Sequence, residues 1–294
     1  MTLIAKFLNK SRMYILKILN QRNFHRNIKS LFSSNLIDLL DYSYMLKLSE
    51  SDASLISKIE DLRRRTRQEY KNDKVMTYSS PKTGEALFAD DGTVQAGKVN
   101  YSTSGSFART GTGPKTGIQL KKLAEAFDAK NIIELGTNTG ISGCYFLSAL
   151  NTPRLTTIEG SPQLASIARY NLSTISNNFE VITDMFDNAL DQLIVAGKKY
   201  DLAFIDGQHE EQATLHYAEK LKKLMMPNGV ILFDDIFWSE GMNRAWEKIK
   251  DDPDFDMIIG FRSRGLARFS QASRKIVFEI TDYTGRPSYA RKGH

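Results

Sequence analysis

A single cysteine, Cys144, stands in a chain of 294 residues. One thiol closes no internal disulfide and makes no CxxC metal site. This is compatible with a reducing compartment, and a cytoplasmic location is expected. No apolar run approaches the roughly 20 residues of a membrane-spanning helix, so no integral segment is expected. Repeats and long low-complexity tracts are also missing, which excludes solenoid and fibrous architectures. Acidic residues are absent from positions 1–37, which hold Lys6, Lys10, Arg12, Lys17, Arg22, Arg26 and Lys29. The net charge of +6 therefore belongs to an N-terminal arm, and the other 33 basic residues are balanced by 34 acids. A phosphate-tracking groove in the rest of the chain is not expected, and nucleic acid is disfavoured as a partner.

Within that arm, residues 3–19 read as a basic amphipathic helix. Ile4, Phe7, Leu8, Ile15, Ile18 and Leu19 share one face. The apolar face either packs on the body of the protein or on a second subunit of a homo-oligomer, or residues 1–29 lie peripherally on an anionic membrane. A second helical pattern begins near Ser51 with Leu55, Ile56, Ile59 and Leu62. Arg63, Arg64, Arg65 and Arg67 follow and read as a solvated face. Residues 73–113 are rich in Gly, Ser and Thr and read as a loop or lid, with Tyr101, Phe107 and Arg109 best suited to touch a ligand. The expected organisation is a helical N-terminal extension over 1–72, the lid over 73–113 and one larger domain over 114–294.

From Pro114 the pattern is regular. Helices are expected at 115–128, 140–150, 162–174, 186–196, 210–224 and 238–250. Strands are expected at 131–135, 154–159, 179–183, 200–206 and 229–234, then near 256–261 and 275–280, with a short one at 265–269. This alternation predicts an α/β doubly wound, Rossmann-like, mainly parallel sheet with an antiparallel C-terminal hairpin at one edge. Four of the strands end in an acid: Glu134, Glu159, Asp206 and Asp234, the last followed by Asp235. Ligands of open parallel sheets bind beyond the carboxyl ends of the strands. Carboxylates crowded there repel one another unless a cation sits among them.

The turn Glu134-Leu135-Gly136-Thr137-Asn138-Thr139-Gly140 lacks GxGxxG spacing and lacks the Gly-Lys-Ser/Thr end of a phosphate loop. Glu134 would repel a phosphate and attract a cation. Glu159, 23 residues after Gly136, stands where an acid accepts hydrogen bonds from ribose hydroxyls. A ribose with a cationic group and no phosphate describes S-adenosylmethionine. The segments ELGTNTG and TIEGS resemble motifs I and II of class I S-adenosylmethionine-dependent methyltransferases. The resemblance implies that Gly136, Asn138, Gly140 and Glu134 wrap the methionine part and that Glu159 holds the ribose. It also implies that Asp184 and Met185 line the adenine.

FIDGQHEEQ (204–212) and LFDDIFWSEGM (232–242) are similar to the metal-ligand segments of catechol-type, cation-dependent O-methyltransferases, and Thr116–Leu123 to the helix before motif I. Asp206, Asp234 and Asp235 match the metal-ligand positions, implying Mg²⁺ or a similar cation. Two residues depart from that pattern: Asp235 replaces Asn, and His209 replaces a catalytic Lys. The DGxH form is closer to sugar- and macrolide-modifying O-methyltransferases. That implies His209 as base, assisted by Asp206, and a hydroxyl on a small molecule or glycosylated metabolite as acceptor.

Simpler roles stay open for each residue. Asp206 would cap the helix near Glu210, or contact the cofactor without metal; Asp234 or Asp235 would cap the helix near Trp238. His209 would be a loop hydrogen-bonder, His216 is read as structural, and Trp238 either walls the pocket or packs a helix. A metal-independent methyltransferase and a non-catalytic S-adenosylmethionine-binding protein with a membrane-surface arm are the alternative functions.

Overall fold

The computed structural model describes residues 24, 26, 28, 29, 32–79, 98–270 and 275–280. The proposed helix over 3–19 lies outside the described residues. Helix α1 spans Ser34–Met45 and α2 spans Glu50–Glu69. The start of α2 is set by a capping box, in which Ser49 Oγ accepts from Asp52 N and the Asp52 carboxylate from Ser49 N. Both helices are part of the main core. Leu39, Leu40 and Ile59 are fully buried in one cluster with Ile118, Tyr145 and strand residues. Arg63 is mostly buried, not solvated as the sequence predicts. It pairs with Glu60 and donates to the carbonyls of Ala108 and Thr112, tying α2 to the segment that follows. Arg64 stays exposed.

Residues 73–113 are more regular than a lid loop. Strands β1 (Lys74–Ser79) and β2 (Lys98–Thr103) form an antiparallel hairpin, in register from Lys74 opposite Thr103 to Ser79 opposite Lys98. Helix α3 (Ser104–Thr110) follows. Val75, Thr77 and Tyr78 are β-formers that outweigh the loop-like composition around them. Residues 80–97 are outside the described residues.

The rest of the chain winds α4 (Pro114–Ala126), β3 (Asn131–Leu135), α5 (Ile141–Leu147), β4 (Arg154–Ile158), α6 (Pro162–Ser173), β5 (Phe179–Ile182) and α7 (Phe186–Val195). It continues through β6 (Tyr200–Ile205), α8 (Glu211–Leu224), β7 (Met225–Phe233), α9 (Glu240–Asp251), β8 (Phe255–Phe261), β9 (Arg264–Phe269) and β10 (Ile276–Glu279). One eight-stranded sheet runs β10-β8-β9-β7-β6-β3-β4-β5. Pairings among β3 to β7 are parallel, and β9 is antiparallel to both β7 and β8. β10 lies parallel to β8. The expected hairpin exists, but it sits inside the sheet, and β10 forms the edge.

Alternate side chains divide between the two faces, as the two-residue period of a strand requires. Ile132, Phe204 and Leu232 join the cluster under α1, α2, α4 and α5. Ile133, Ala203, Ile231 and Phe233 join the second cluster, under α7, α8 and α9. Burial on both faces explains the near-continuous apolar runs. Trp246 of α9 is buried against Phe233, and a Cβ on Gly265 would stand 2.3 Å from its ring. Trp246→Ala should cost about 3–5 kcal/mol of stability, read by urea unfolding, because nothing nearby can fill the space.

Candidate functional site

Ladder hydrogen bonds continue past the strand ends and set the acids side by side. Asp206 N donates to Leu135 O at 2.9 Å, Asp234 N to Ile205 O at 2.9 Å, and Glu159 N to Ile182 O at 3.0 Å. Along the carboxyl edge the order is therefore Asp234, Asp206, Gly136, Glu159 and Asp184, following β7, β6, β3, β4 and β5. Gly136 has φ +102°, and a Cβ there would meet Asp206 O at 2.2 Å. Only glycine fits the point where this turn passes over the next strand.

Glu134, inside β3, is fully buried. Its Oε2 accepts from Thr157 Oγ1 at 2.7 Å, whereas Oε1 has no partner. Burial, and secondarily the Glu159 charge, push its pKa up to about 7 against the hydrogen bonds from Ser142 and Thr157. Asn138 Oδ1 is likewise buried without a partner. Glu159 is half-buried and accepts from Asn138 N at 2.8 Å and Ser161 N at 2.9 Å, which fixes its carboxylate over the turn. Desolvation raises its pKa too. Asp184 accepts from Met185 N at 2.7 Å and from the Asn188 and Gln192 side chains, so its carboxylate is engaged by the start of α7. Met185 lies by Gly160: a Cβ on Gly160 would stand 3.3 Å from Met185 Sδ and 3.1 Å from the Tyr78 ring. The hairpin thus reaches this end of the site through Tyr78. Tyr101 is exposed. Gly140, at φ +81°, turns the chain into α5 against Ala168.

At the other end, His209 Nε2 lies 3.8 Å from Asp206 Oδ1 and 3.9 Å from Asp235 Oδ2. These are ion-pair separations, too long for direct hydrogen bonds. The Trp238 indole is 72% exposed, with its ring 6.5 Å from the imidazole. Burial first, then Asp234, Glu134 and Asp235, hold the Asp206 carboxyl well above the usual range, and Arg264 opposes them. Asp235 is raised by burial and Asp234, with His209 and Arg264 opposing. Helix capping does not account for these acids. α8 has Glu210 at its N-cap without a side-chain cap bond, and α9 is capped by Ser239 Oγ, which accepts from Met242 N at 3.1 Å. His216 pairs with Asp187 of α7 at 2.7 Å.

The sequence reading missed Arg264. Its Nη1 is 3.4 Å from Asp234 Oδ1, and its Nε and Nη2 donate to Gln119 Oε1 at 3.2 and 2.8 Å. Gln119 in turn donates to Ser43 Oγ at 2.8 Å. The available signal was two arginines flanking Ser263 at a turn next to the carboxyl edge. Among the described residues, no set of three or more His, Cys, Asp or Glu gathers closely enough to chelate an ion as it stands. The donor chemistry of Asp206, Asp234 and Asp235, hard carboxylate oxygens at one sheet edge, nevertheless suits a divalent cation: burial first and the Asp234 charge second hold Asp206 and Asp235 above the usual carboxylate range. The orphaned Glu134 Oε1 suits a cationic organic ligand.

Residues 133–236 match the family model described as a methyltransferase domain. The chain is 28% identical over 153 residues to a catechol O-methyltransferase of Niastella koreensis, covering 51% of this chain and 67% of that one. It is 27% identical over 162 residues to a catechol O-methyltransferase of Mycobacterium tuberculosis, covering 54% and 71%. The matched region spans about two thirds of the length of such relatives. In fold it is similar to an O-methyltransferase from Bacillus cereus solved with S-adenosylhomocysteine, with TM-score 0.52, 20% identity, and 78% of this chain and 95% of that chain covered.

Glu134 also makes a stability prediction. Its folded pKa is raised, so its contribution is complete below about pH 4.5 and is lost as pH climbs toward about 7. Glu134→Gln should remove that loss and stabilise the ligand-free protein at pH 8 by on the order of 2–3 kcal/mol, seen as a flatter pH profile in denaturant unfolding.

Proposed function

We propose that this chain, an enzyme of the class I S-adenosylmethionine-dependent O-methyltransferase type, moves a methyl group to a hydroxyl on a small molecule or glycosylated metabolite. One observation carries the reading. His209 stands within 4 Å of two carboxylates at the tips of β6 and β7, on the same sheet edge as the Glu134–Gly136 turn and Glu159. S-adenosylmethionine, when bound, supplies a methyl group activated by the sulfonium charge.

The chain's own residues do the remaining work. Glu134 and the Gly136–Gly140 turn receive the cationic amino-acid part, and Glu159 accepts hydrogen bonds from the ribose. Met185 and Tyr78 wall the adenine end, and Asp184 acts by fixing the turn into α7. His209 accepts the proton of the acceptor hydroxyl as that oxygen bonds to the methyl carbon and the carbon–sulfur bond breaks. Asp206 and Asp235 flank the imidazole at 3.8 and 3.9 Å. Holding the two reactants in line provides much of the acceleration. Asp206, Asp234 and Asp235 would hold a divalent cation, which would supply Lewis acidity toward the hydroxyl.

A metal-independent transfer is the second reading, and Arg264 favours it. The guanidinium already offsets Asp234, so the acidic edge carries a resident cation. Turnover after EDTA treatment separates the two: loss restored by Mg²⁺ supports the metal reading, and full retention supports the resident cation. His209→Ala should lower kcat roughly 10²–10⁴-fold. Its S-adenosylhomocysteine affinity by calorimetry should match that of the unaltered protein. Unchanged turnover would remove His209 from the mechanism.

A further inference from the structure

A cavity of about 240 Å³ adjoins the acidic edge on its β9 side. Ser43, Lys115, Thr116, Arg262, Ser263 and Arg264 contribute to its wall, and among the described residues no Asp or Glu lines it. The sign of charge reverses within one side chain. Arg264 faces Asp234 at 3.4 Å and also lines the cavity, so the basic pocket and the acidic edge share a wall.

Arg264 has Asp234 and Gln119 as partners, but Arg262 has no carboxylate partner among the described residues. Its Nε is buried without a hydrogen-bond acceptor. Burial first, and the Arg264 charge second, push its pKa down, with no carboxylate opposing them. A partly buried guanidinium beside a second one, without a counter-ion, destabilises a fold. Arg262 also adopts φ +57°, a conformation that glycine or asparagine takes more readily at a hairpin turn. Lys115, exposed on the rim, adds a third positive charge in the first turn of α4, whose N–H groups begin here behind Gly113 and Pro114.

We infer that this cavity receives an oxyanion, a carboxylate or phosphoryl group, carried by the acceptor molecule. The inference rests on the proposed methyl transfer and names the acceptor's chemical class: an acidic hydroxy compound. The guanidinium fork of Arg262 pairs with two oxygens of the anion, and Lys115 closes the open side. The anion then lies on one face of Arg264 and the reacting hydroxyl on the other, near Asp234 and His209. The pairing fixes which hydroxyl faces His209 and excludes neutral acceptors of the same shape, which would leave Arg262 without a partner.

The test uses the full chain saturated with S-adenosylhomocysteine, at constant ionic strength in chloride. Inorganic phosphate and benzoate are titrated separately by calorimetry into the unaltered protein, Arg262→Gln and Lys115→Gln. Saturable binding of either anion, weakened at least tenfold by Arg262→Gln and less by Lys115→Gln, supports the inference, and the preferred anion identifies the oxyanion. Ligand-free Arg262→Gln should be at least as stable to denaturant as the unaltered protein, since it loses an uncompensated charge. Binding of neither anion, or equal binding in the Arg262 variant, overturns the oxyanion pocket while S-adenosylhomocysteine binding leaves the methyl-transfer reading intact. A folded protein that does not bind S-adenosylhomocysteine overturns that reading instead.

Discussion

Carboxylates held together at the tips of a parallel sheet are the constraint on which the rest of this structure depends. The ladder bonds from Asp206 to Leu135 and from Asp234 to Ile205 leave these acids no freedom to separate. Burial strengthens their repulsion, and it shows as raised pKa values at Glu134, Asp206 and Asp235. Such an edge is stable only with positive charge brought to it, by the fold or by ligands. The surroundings follow from that need: glycine at 136 where the turn crosses Asp206, His209 between two acids, and Arg264 against a third.

Strand β9 supplies the resident positive charge because it runs backwards. A parallel strand starts at the edge opposite the site, so its first residues never approach the carboxyl ends. β9 is antiparallel to β7, with Gly265 opposite Phe233, and its first residue therefore arrives beside Asp234. The same reversal places the Arg262–Ser263 turn at the carboxyl edge and opens a basic cavity next to an acidic one. Gln119 and Ser43 then connect Arg264 to α4 and α1, so the N-terminal helices support the site as well as covering the sheet.

Much of the α/β half was legible before any coordinates. The strands at 131–135, 154–158, 200–205 and 255–261 fall within a residue or so of their expected bounds. Apolar runs of that length between helical patterns admit few other arrangements. The acids at the strand ends were legible for the same reason, since a parallel strand fixes which end faces the ligand. The hairpin's place inside the sheet was not legible, because β-propensity does not say which strand a hairpin joins. Residues 74–79 and 98–103 read as part of a loop because Gly, Ser and Thr around them mask a short alternation. Arg63 reads as solvated in the sequence because a run of arginines resembles a surface face, and only the fold brings the Ala108 and Thr112 carbonyls to it.

The sequence by itself determined the wound α/β pattern, the placing of acids at the ends of its strands and the glycine turn after the first of them. Each is a local property, set by period, spacing and the φ freedom of one residue. Tertiary structure alone decided that Arg264 meets Asp234 from 30 residues away, that Tyr78 reaches Gly160 and Met185, and that Arg262 and Lys115 share a cavity. Those contacts depend on the register and direction of pairing between distant segments, and no pattern within either segment encodes them.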